Sequence, residues 1–223
     1  MTQTVRALGF ALFMSAIGYL GWWWWRLPHA PEAPLWPAPL LDTLLFSAFA
    51  LHHSVLARPF AKRVVERLLP SNLARSSYVW VASLLLIGLC VGWQPVGHSL
   101  YRATGVAALG LGLLQLAGAA LGVLTVRRIN LRELGGLETP QAGVALEATG
   151  PYRLVRHPLY LAVVLLLAGS AQMTGDRLLF AALATFYIVV AIPFEEAGLE
   201  AQFGARYAEY RRVVRWRLIP YIH

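Results

Sequence analysis

The sequence predicts an all-α, polytopic integral membrane protein: a helical bundle of about six transmembrane helices, or five on a shorter count, with a C-terminal helical hairpin and an interfacial C-terminal helix. Three observations predict it. Hydrophobic residues fill 58% of the 223 positions and charged residues only 13%, whereas about a quarter of an ordinary soluble domain is charged. The apolar residues are gathered in blocks close to the 20 or so positions that a helix needs to cross a bilayer. No block reads as a strand, and an open sheet could not satisfy its backbone in lipid.

The first block, residues 7–25, ends in Trp22, Trp23, Trp24 and Trp25. It is too long for a cleavable signal and lacks small residues at its end, so it reads as a retained anchor. Blocks 39–57 and 77–93 follow, the latter closing on Trp93, and indole rings at block ends favour the headgroup level. The fourth block, 103–126, carries Gly105, Gly110, Gly112, Gly118 and Gly122. Its Gly118-x-x-x-Gly122 step predicts close approach by another helix, a packing role without chemistry. Blocks 157–173 and 178–194 are separated by the short turn 174–177, so they should be antiparallel neighbours. Cys90, the single cysteine, lies in the third block as a small buried hydrophobe with no disulfide to make. One integral membrane domain, 1–223, follows, with a four-helix membrane part at 1–126 and a cytoplasm-facing part at 127–223.

Charge orients the blocks. On a six-span count Arg26, Arg102 and Arg177 stand on one side and the other sixteen of the 19 Lys and Arg residues on the opposite side. The side with the positive excess is cytoplasmic, which puts both termini there, in a bacterial-type inner membrane or an endomembrane. Omitting one of the first two blocks moves Arg6 across and leaves the C-terminal half in place. The net charge of +8 is then mainly a topology signal, with attraction to anionic membrane lipids as a second effect. No basic stripe interleaved with aromatics stands outside these loops, so no nucleic-acid partner is expected.

Polar residues gather in three stretches on the cytoplasmic side, 51–77, 125–160 and 195–217. In the second, Gly150-Pro151 marks a turn and Pro158 suits the first turn of a helix, which places His157 at or beside an N-cap. The positive end of the helix dipole there favours a carboxylate. The sixth block closes on Glu195-Glu196, and acids at a membrane boundary are costly unless partnered or given a task. Folded as a hairpin, the last two blocks bring Arg156, His157 and Tyr160 towards Glu195 and Glu196. Beyond the acids, Leu199, Phe203, Tyr207, Tyr210 and Val214 form one stripe of a surface helix, which either covers the site or simply anchors the C-terminus. His52 and His53 end the second block, either as boundary histidines or as functional ones. His52, His53, His157, Glu195 and Glu196 offer no i, i+4 ligand pair among themselves, so no metal is expected.

The string Gly150-Pro151-Tyr152-Arg153-x-x-Arg156-His157-Pro158-x-Tyr160, followed by Glu195-Glu196-x-x-Leu199-x-x-x-Phe203-Gly204-x-x-Tyr207-x-x-Tyr210, resembles the isoprenylcysteine carboxyl methyltransferase family and its phospholipid-methylating relatives. The resemblance implies a helical membrane enzyme that binds S-adenosylmethionine at its cytoplasmic C-terminal end and methylates a lipophilic or small thiol acceptor entering from the bilayer. It further implies a cofactor pocket lined by Tyr152, His157, Pro158, Leu159, Tyr160, Glu195 and Glu196, with Leu146 and Glu147 from the stretch before the turn. Prenylcysteine-methylating members carry an arginine one turn before the acidic pair, where this chain has Ala191, so that acceptor is not expected. The N-terminal half is similar to the nurim and methanethiol S-methyltransferase branch. That likeness rests on His53-Ser54-Val55-Leu56-Ala57-Arg58-Pro59, Lys62, Arg75-Ser76-x-Tyr78-Val79 and Trp93-Gln94-Pro95, with Met173-Thr174 and Leu178-Leu179-Phe180.

Methyl transfer from a sulfonium is an in-line displacement, so the protein chiefly holds donor and acceptor in a dry pocket. The expected catalytic residues are His53, Arg156, His157 and Glu196. Glu195 or Glu196 would receive the donor's amino group, and Arg156, His157 and the helix-start N–H groups its carboxylate or ribose. Tyr152 and Tyr160 would face the adenine or the cationic sulfur. For a thiol acceptor, His53 or His157 would supply the base, and the sequence does not choose between them. The alternatives are a non-catalytic nurim-like membrane scaffold and a phospholipid amine N-methyltransferase. A scaffold has no reason to place two acids at a helix end.

Overall fold

A computed structural model describes residues 2–27, 37–56, 64, 65, 67, 71–138 and 145–222. Of the N-terminal motif, Ala57, Arg58, Pro59 and Lys62 lie outside the described residues, as does Arg63. Eight α-helices appear among the described residues: α1 (Thr2–Arg26), α2 (Ala38–Leu56), α3 (Ser71–Gly92), α4 (Gly105–Val126), α5 (Leu131–Leu134), α6 (Pro158–Ala168), α7 (Gly175–Phe203) and α8 (Ala205–Val213). Five of them, α1, α2, α3, α4 and α7, are long and apolar enough to cross a bilayer. The expected all-α, multi-pass class holds.

Two boundaries differ from the sequence expectation. The fifth block becomes an α6 of 11 residues, about 16 Å long and roughly half the hydrocarbon thickness. Gly169 caps α6 at its C-terminus, and the chain continues as a short strand, β2 (Gln172–Thr174), paired with β1 (Ser99–Arg102). This small ribbon had no counterpart in the expected structure, because three or four residues are too few to show alternation. The second difference is at the acids: α7 does not end at Glu195-Glu196 but runs unbroken past Pro193 to Phe203. It stops at Gly204, whose φ of 54° suits a residue without a Cβ, and α8 starts there.

The chain divides into two compact units. The first comprises residues 1–99, 131–140 and 174–177. In it Gly9 of α1 lies against the Trp80 indole of α3, Trp80 donates to the Val5 carbonyl, and Trp23 meets Trp93 edge to face at 5.4 Å. At the ends of these helices, buried Asp42 accepts from the Gln94 N–H. Asp176 accepts from the Trp93 indole and the Val96 N–H. Arg177 donates to the Trp24 carbonyl and stacks on its ring. The first turn of α7 is therefore fixed beside the C-terminal ends of α1 and α3.

The second unit comprises residues 100–130, 141–173 and 178–223. Its main packing is α4 on α6, where the expected close approach is present: Gly118 abuts the Ala162 carbonyl and the Leu166 amide, and Gly122 faces Ala162. Gln115 of α4 donates to the Leu166 carbonyl. Helix α6 also packs on α7, with Tyr160, Leu161, Val163 and Val164 against Ile188 and Ile192, and Leu218 from the C-terminal segment completes that core. The predicted hairpin is thus formed, with a helical arm shorter than its partner.

Candidate functional site

The start of α6 and the cytoplasm-predicted end of α7 meet in the second unit. His157 is the N-cap of α6 and Pro158 its first residue, as the sequence expects, because proline's missing N–H costs nothing at that position. Arg156 and His157 are fastened from outside the hairpin as well: their backbone N–H groups donate to the carbonyls of Trp216 and Arg217, both at 2.9 Å. The C-terminal segment therefore lies along the entry to α6. The His157 N–H, expected to be open for a ligand, is occupied by Arg217.

Successive positions on a helix point about 100° apart, and this separates the two acids. Glu196 turns inward and is buried. It accepts from Arg156 Nε at 2.6 Å and from Arg217 Nε at 3.1 Å. Arg156 is buried too, and its Nη1 donates to the carbonyls of Val214 and Arg215 at 2.9 and 2.7 Å. A buried ion pair of this kind is costly to break from one side, since the remaining charge stays buried. Glu195 turns outward, its side chain 45% exposed, with His157 Nδ1 at 3.6 Å from Oε2. The other ring nitrogen, Nε2, lies 3.5 Å from Glu196 Oε1 without a well-aligned hydrogen bond.

Burial lowers the His157 pKa below its ordinary value, against the opposing pull of Glu195 and Glu196 and with a smaller push from Arg156. The ring is held neutral and stacks on Tyr160 at 5.5 Å. Its linkage to stability has a definite sign. Above the unfolded value of about 6.5 both states are neutral, and as pH falls through it the unfolded chain takes up the proton first, so folding weakens. Thermal unfolding in detergent should therefore show a steeper loss of stability between about pH 7.5 and 5 for the wild type than for His157→Asn. Equal slopes would mean that His157 is not buried neutral.

Around this pair the other predicted residues take distinct places. Gly150 adopts φ 56° beneath the Arg128 guanidinium, opening a 3₁₀ turn, Gly150–Arg153. Tyr152 in that turn is half-buried, and its carbonyl accepts from the Tyr210 hydroxyl at 2.8 Å. Burial raises the Tyr152 pKa, followed by the nearby charges of Glu195 and Glu147, so these three groups share one neighbourhood. Glu147 is half-buried and accepts from the Thr149 N–H and hydroxyl, which lowers its pKa. Leu146 packs instead into the cluster of Tyr207, Tyr210 and Val214, together with Leu199 and Phe203. The predicted stripe is therefore internal packing, interrupted by the Gly204 break. Pro158 is fully buried and Leu159 half-buried. Tyr207 is completely buried beside Glu196, and burial pushes its pKa up to about 12.

His53 belongs to the first unit. Its Nδ1 lies 2.8 Å from the Tyr78 hydroxyl, and the His52 ring stacks on the same tyrosine at 5.6 Å. Two residues of the N-terminal motif, 25 positions apart, are thus direct partners. Among the described residues no group of three metal-ligating side chains occurs. Sequence reasoning missed Arg217 as a ligand of Glu196, and the carbonyls of residues 214–217 as partners of Arg156 and His157. Arg217 was visible only as one more cation, and backbone carbonyls carry no residue signal.

The phospholipid methyltransferase family profile matches residues 104–206. Methanethiol S-methyltransferase 2 of Bradyrhizobium diazoefficiens is 37% identical over 216 residues, covering 91% of this chain and 82% of that protein. The methanethiol S-methyltransferase of Mycobacterium tuberculosis is 36% identical over 204 residues, covering 87% and 83%. The nurim homolog of Drosophila melanogaster is more distant, 28% identical over 175 residues, covering 68% and 66%. No solved structure matches the chain.

Proposed function

Because the chain belongs to the family of membrane methyltransferases that includes the phospholipid methyltransferases and the methanethiol S-methyltransferases, we propose that it methylates methanethiol or a thiol of similar size, with S-adenosylmethionine as the donor. The observation that carries this reading is the division of the acidic pair: the Arg156–Glu196 contact at 2.6 Å locks the start of α6 to α7, and Glu195 is left facing outward beside His157 and Tyr152.

The side chains present fit the donor. Glu195 has a half-exposed carboxylate with capacity for an ammonium group. Tyr152 and Tyr160 offer ring faces that attract positive charge. Pro158 and Leu159 supply an apolar wall that excludes water, and Glu147 and Leu146 border the turn. When bound, S-adenosylmethionine supplies an electrophilic methyl group on a cationic sulfur. The residues orient it and prepare the thiol, which reacts as the thiolate. His157 is the favoured base, because it is held neutral by burial while Glu195 and Glu196 stabilise its protonated form. Arg156, Arg217 and Glu196 are positioning residues whose hydrogen bonds are already committed to one another and to the C-terminal segment. The arginine-rich stretches that border the site, residues 127–156 and 206–217, favour the cytoplasmic side for its opening.

Calorimetry of the detergent-purified protein with S-adenosylhomocysteine tests the donor site. Glu195→Gln should weaken binding about 10- to 100-fold, as expected for loss of one charge-assisted contact. His157→Asn should lower the formation of dimethyl sulfide from methanethiol far more than it lowers this binding. A wild type that binds no S-adenosylhomocysteine would overturn the donor assignment. Methylation of phosphatidylethanolamine with no dimethyl sulfide formed would overturn the acceptor.

A further inference from the structure

The second unit contains a further feature, to which none of the residues assigned above to the donor contributes except Arg156. A cavity of about 420 Å³ is lined by Arg156, Ala208, Arg211, Arg212 and Arg215. Four of its five lining residues carry guanidinium groups. Arg156 is offset by Glu196 and Arg211 by Glu200, at 2.6 and 3.1 Å, whereas Arg212 and Arg215 are exposed. Glu209 is the one acid between Ala205 and Arg217. Such a wall repels a sulfonium or an ammonium and attracts a phosphate, which a planar guanidinium can bind through two parallel hydrogen bonds.

We propose that this cavity binds the phosphate of an anionic phospholipid headgroup. The occupant follows from its surroundings. Helix α8 follows α7, which is long and apolar enough to cross a membrane, after the single residue Gly204. The cavity's segment also carries the exposed apolar side chains of Val213, Tyr221 and Ile222, which suit the boundary between headgroups and acyl chains. Basic residues next to a span attract anionic lipid. Arg156 Nη1 holds the carbonyls of Val214 and Arg215, so a phosphate bridging Arg212 and Arg215 fixes the same segment that clamps Arg156 and Glu196.

The test is thermal unfolding of the full-length protein in neutral detergent, titrated with dioleoyl phosphatidylglycerol, dioleoyl phosphatidylcholine, inorganic phosphate or glycerol 3-phosphate. Phosphatidylglycerol should raise Tm by several degrees, roughly 3–6 °C for each tenfold excess of lipid over its Kd. Phosphatidylcholine and the soluble phosphates should do little. Arg212→Gln/Arg215→Gln should lose the shift, and Arg127→Gln/Arg206→Gln, which removes the same charge away from the cavity, should keep it. Equal losses in both double variants would reduce the effect to general charge attraction and overturn the site. A soluble phosphate matching the lipid would overturn the lipid as occupant. Saturating S-adenosylhomocysteine should leave the shift in place, and its disappearance would return the cavity to the donor site and overturn the proposal independently of the methyltransferase reading.

Discussion

Glu196→Gln is expected to be among the most damaging single substitutions in the chain, lowering stability by about 3 kcal/mol and Tm by roughly 10 °C for a protein of this size. The neutral amide keeps the shape but leaves the buried Arg156 and the partly buried Arg217 without their shared counter-charge. The value lies at the lower end for a buried pair, because Arg156 retains two carbonyl partners. Arg156→Gln combined with Glu196→Gln should cost clearly less than the sum of the two singles, since the second substitution removes a charge that the first has stranded. Thermal denaturation in detergent measures all three variants. A loss below about 1 kcal/mol for Glu196→Gln would place the pair with ordinary solvent-exposed bridges and remove the basis for calling it the clamp of the site.

Gly118→Val should be comparably severe. A Cβ at this position would lie 2.8 Å from the Leu166 amide nitrogen and 2.9 Å from the Ala162 carbonyl oxygen. Both are backbone atoms, so α4 and α6 must separate to relieve the contact. Overpacking of this kind costs about 1–3 kcal/mol, and the larger β-branched side chain lies at the upper end. Gly112→Ala, six residues earlier on the same helix, meets nothing within 4 Å. It should be neutral or stabilising by a few tenths of a kcal/mol, since alanine is the better helix former. Because α6 begins at His157 and Pro158, Gly118→Val should also weaken S-adenosylhomocysteine binding, and Gly112→Ala should not. Equal effects of the two substitutions would show that the close crossing is not what positions the site.

The two cases show how far sequence reasoning reaches. Gly118 was legible because small residues four positions apart mark one helix face, and Gly122 is the other member of that step. His157 as an N-cap was legible because proline after it restricts where a helix can start. The hairpin that joins Arg156 to Glu196 followed from a short connection between two apolar blocks. By contrast, α6 was read too long, because residues 169–173 carry no charge to mark an end, although the helix is capped at Gly169 and Gln172–Thr174 form a strand. The end of α7 was read too early, because a pair of acids was taken as a boundary while the helix simply runs on to Gly204.

Composition and block length by themselves determine that this chain is a helical membrane protein and that its last two apolar segments fold back on each other, while the methyltransferase family came from the resemblance of its motifs to known sequences. These properties are local: hydropathy is summed along a segment, and a short connection leaves little freedom in how its flanking helices pair. Only the tertiary structure decided that Glu196 is spent on Arg156 and Arg217 while Glu195 remains open, and that the carbonyls of residues 214–217 hold the entry to α6. Adjacent glutamates are chemically identical in a sequence, and every residue has a carbonyl. What distinguishes them is the direction each faces once the helix rotates by about 100° per residue and the chain's end packs against it.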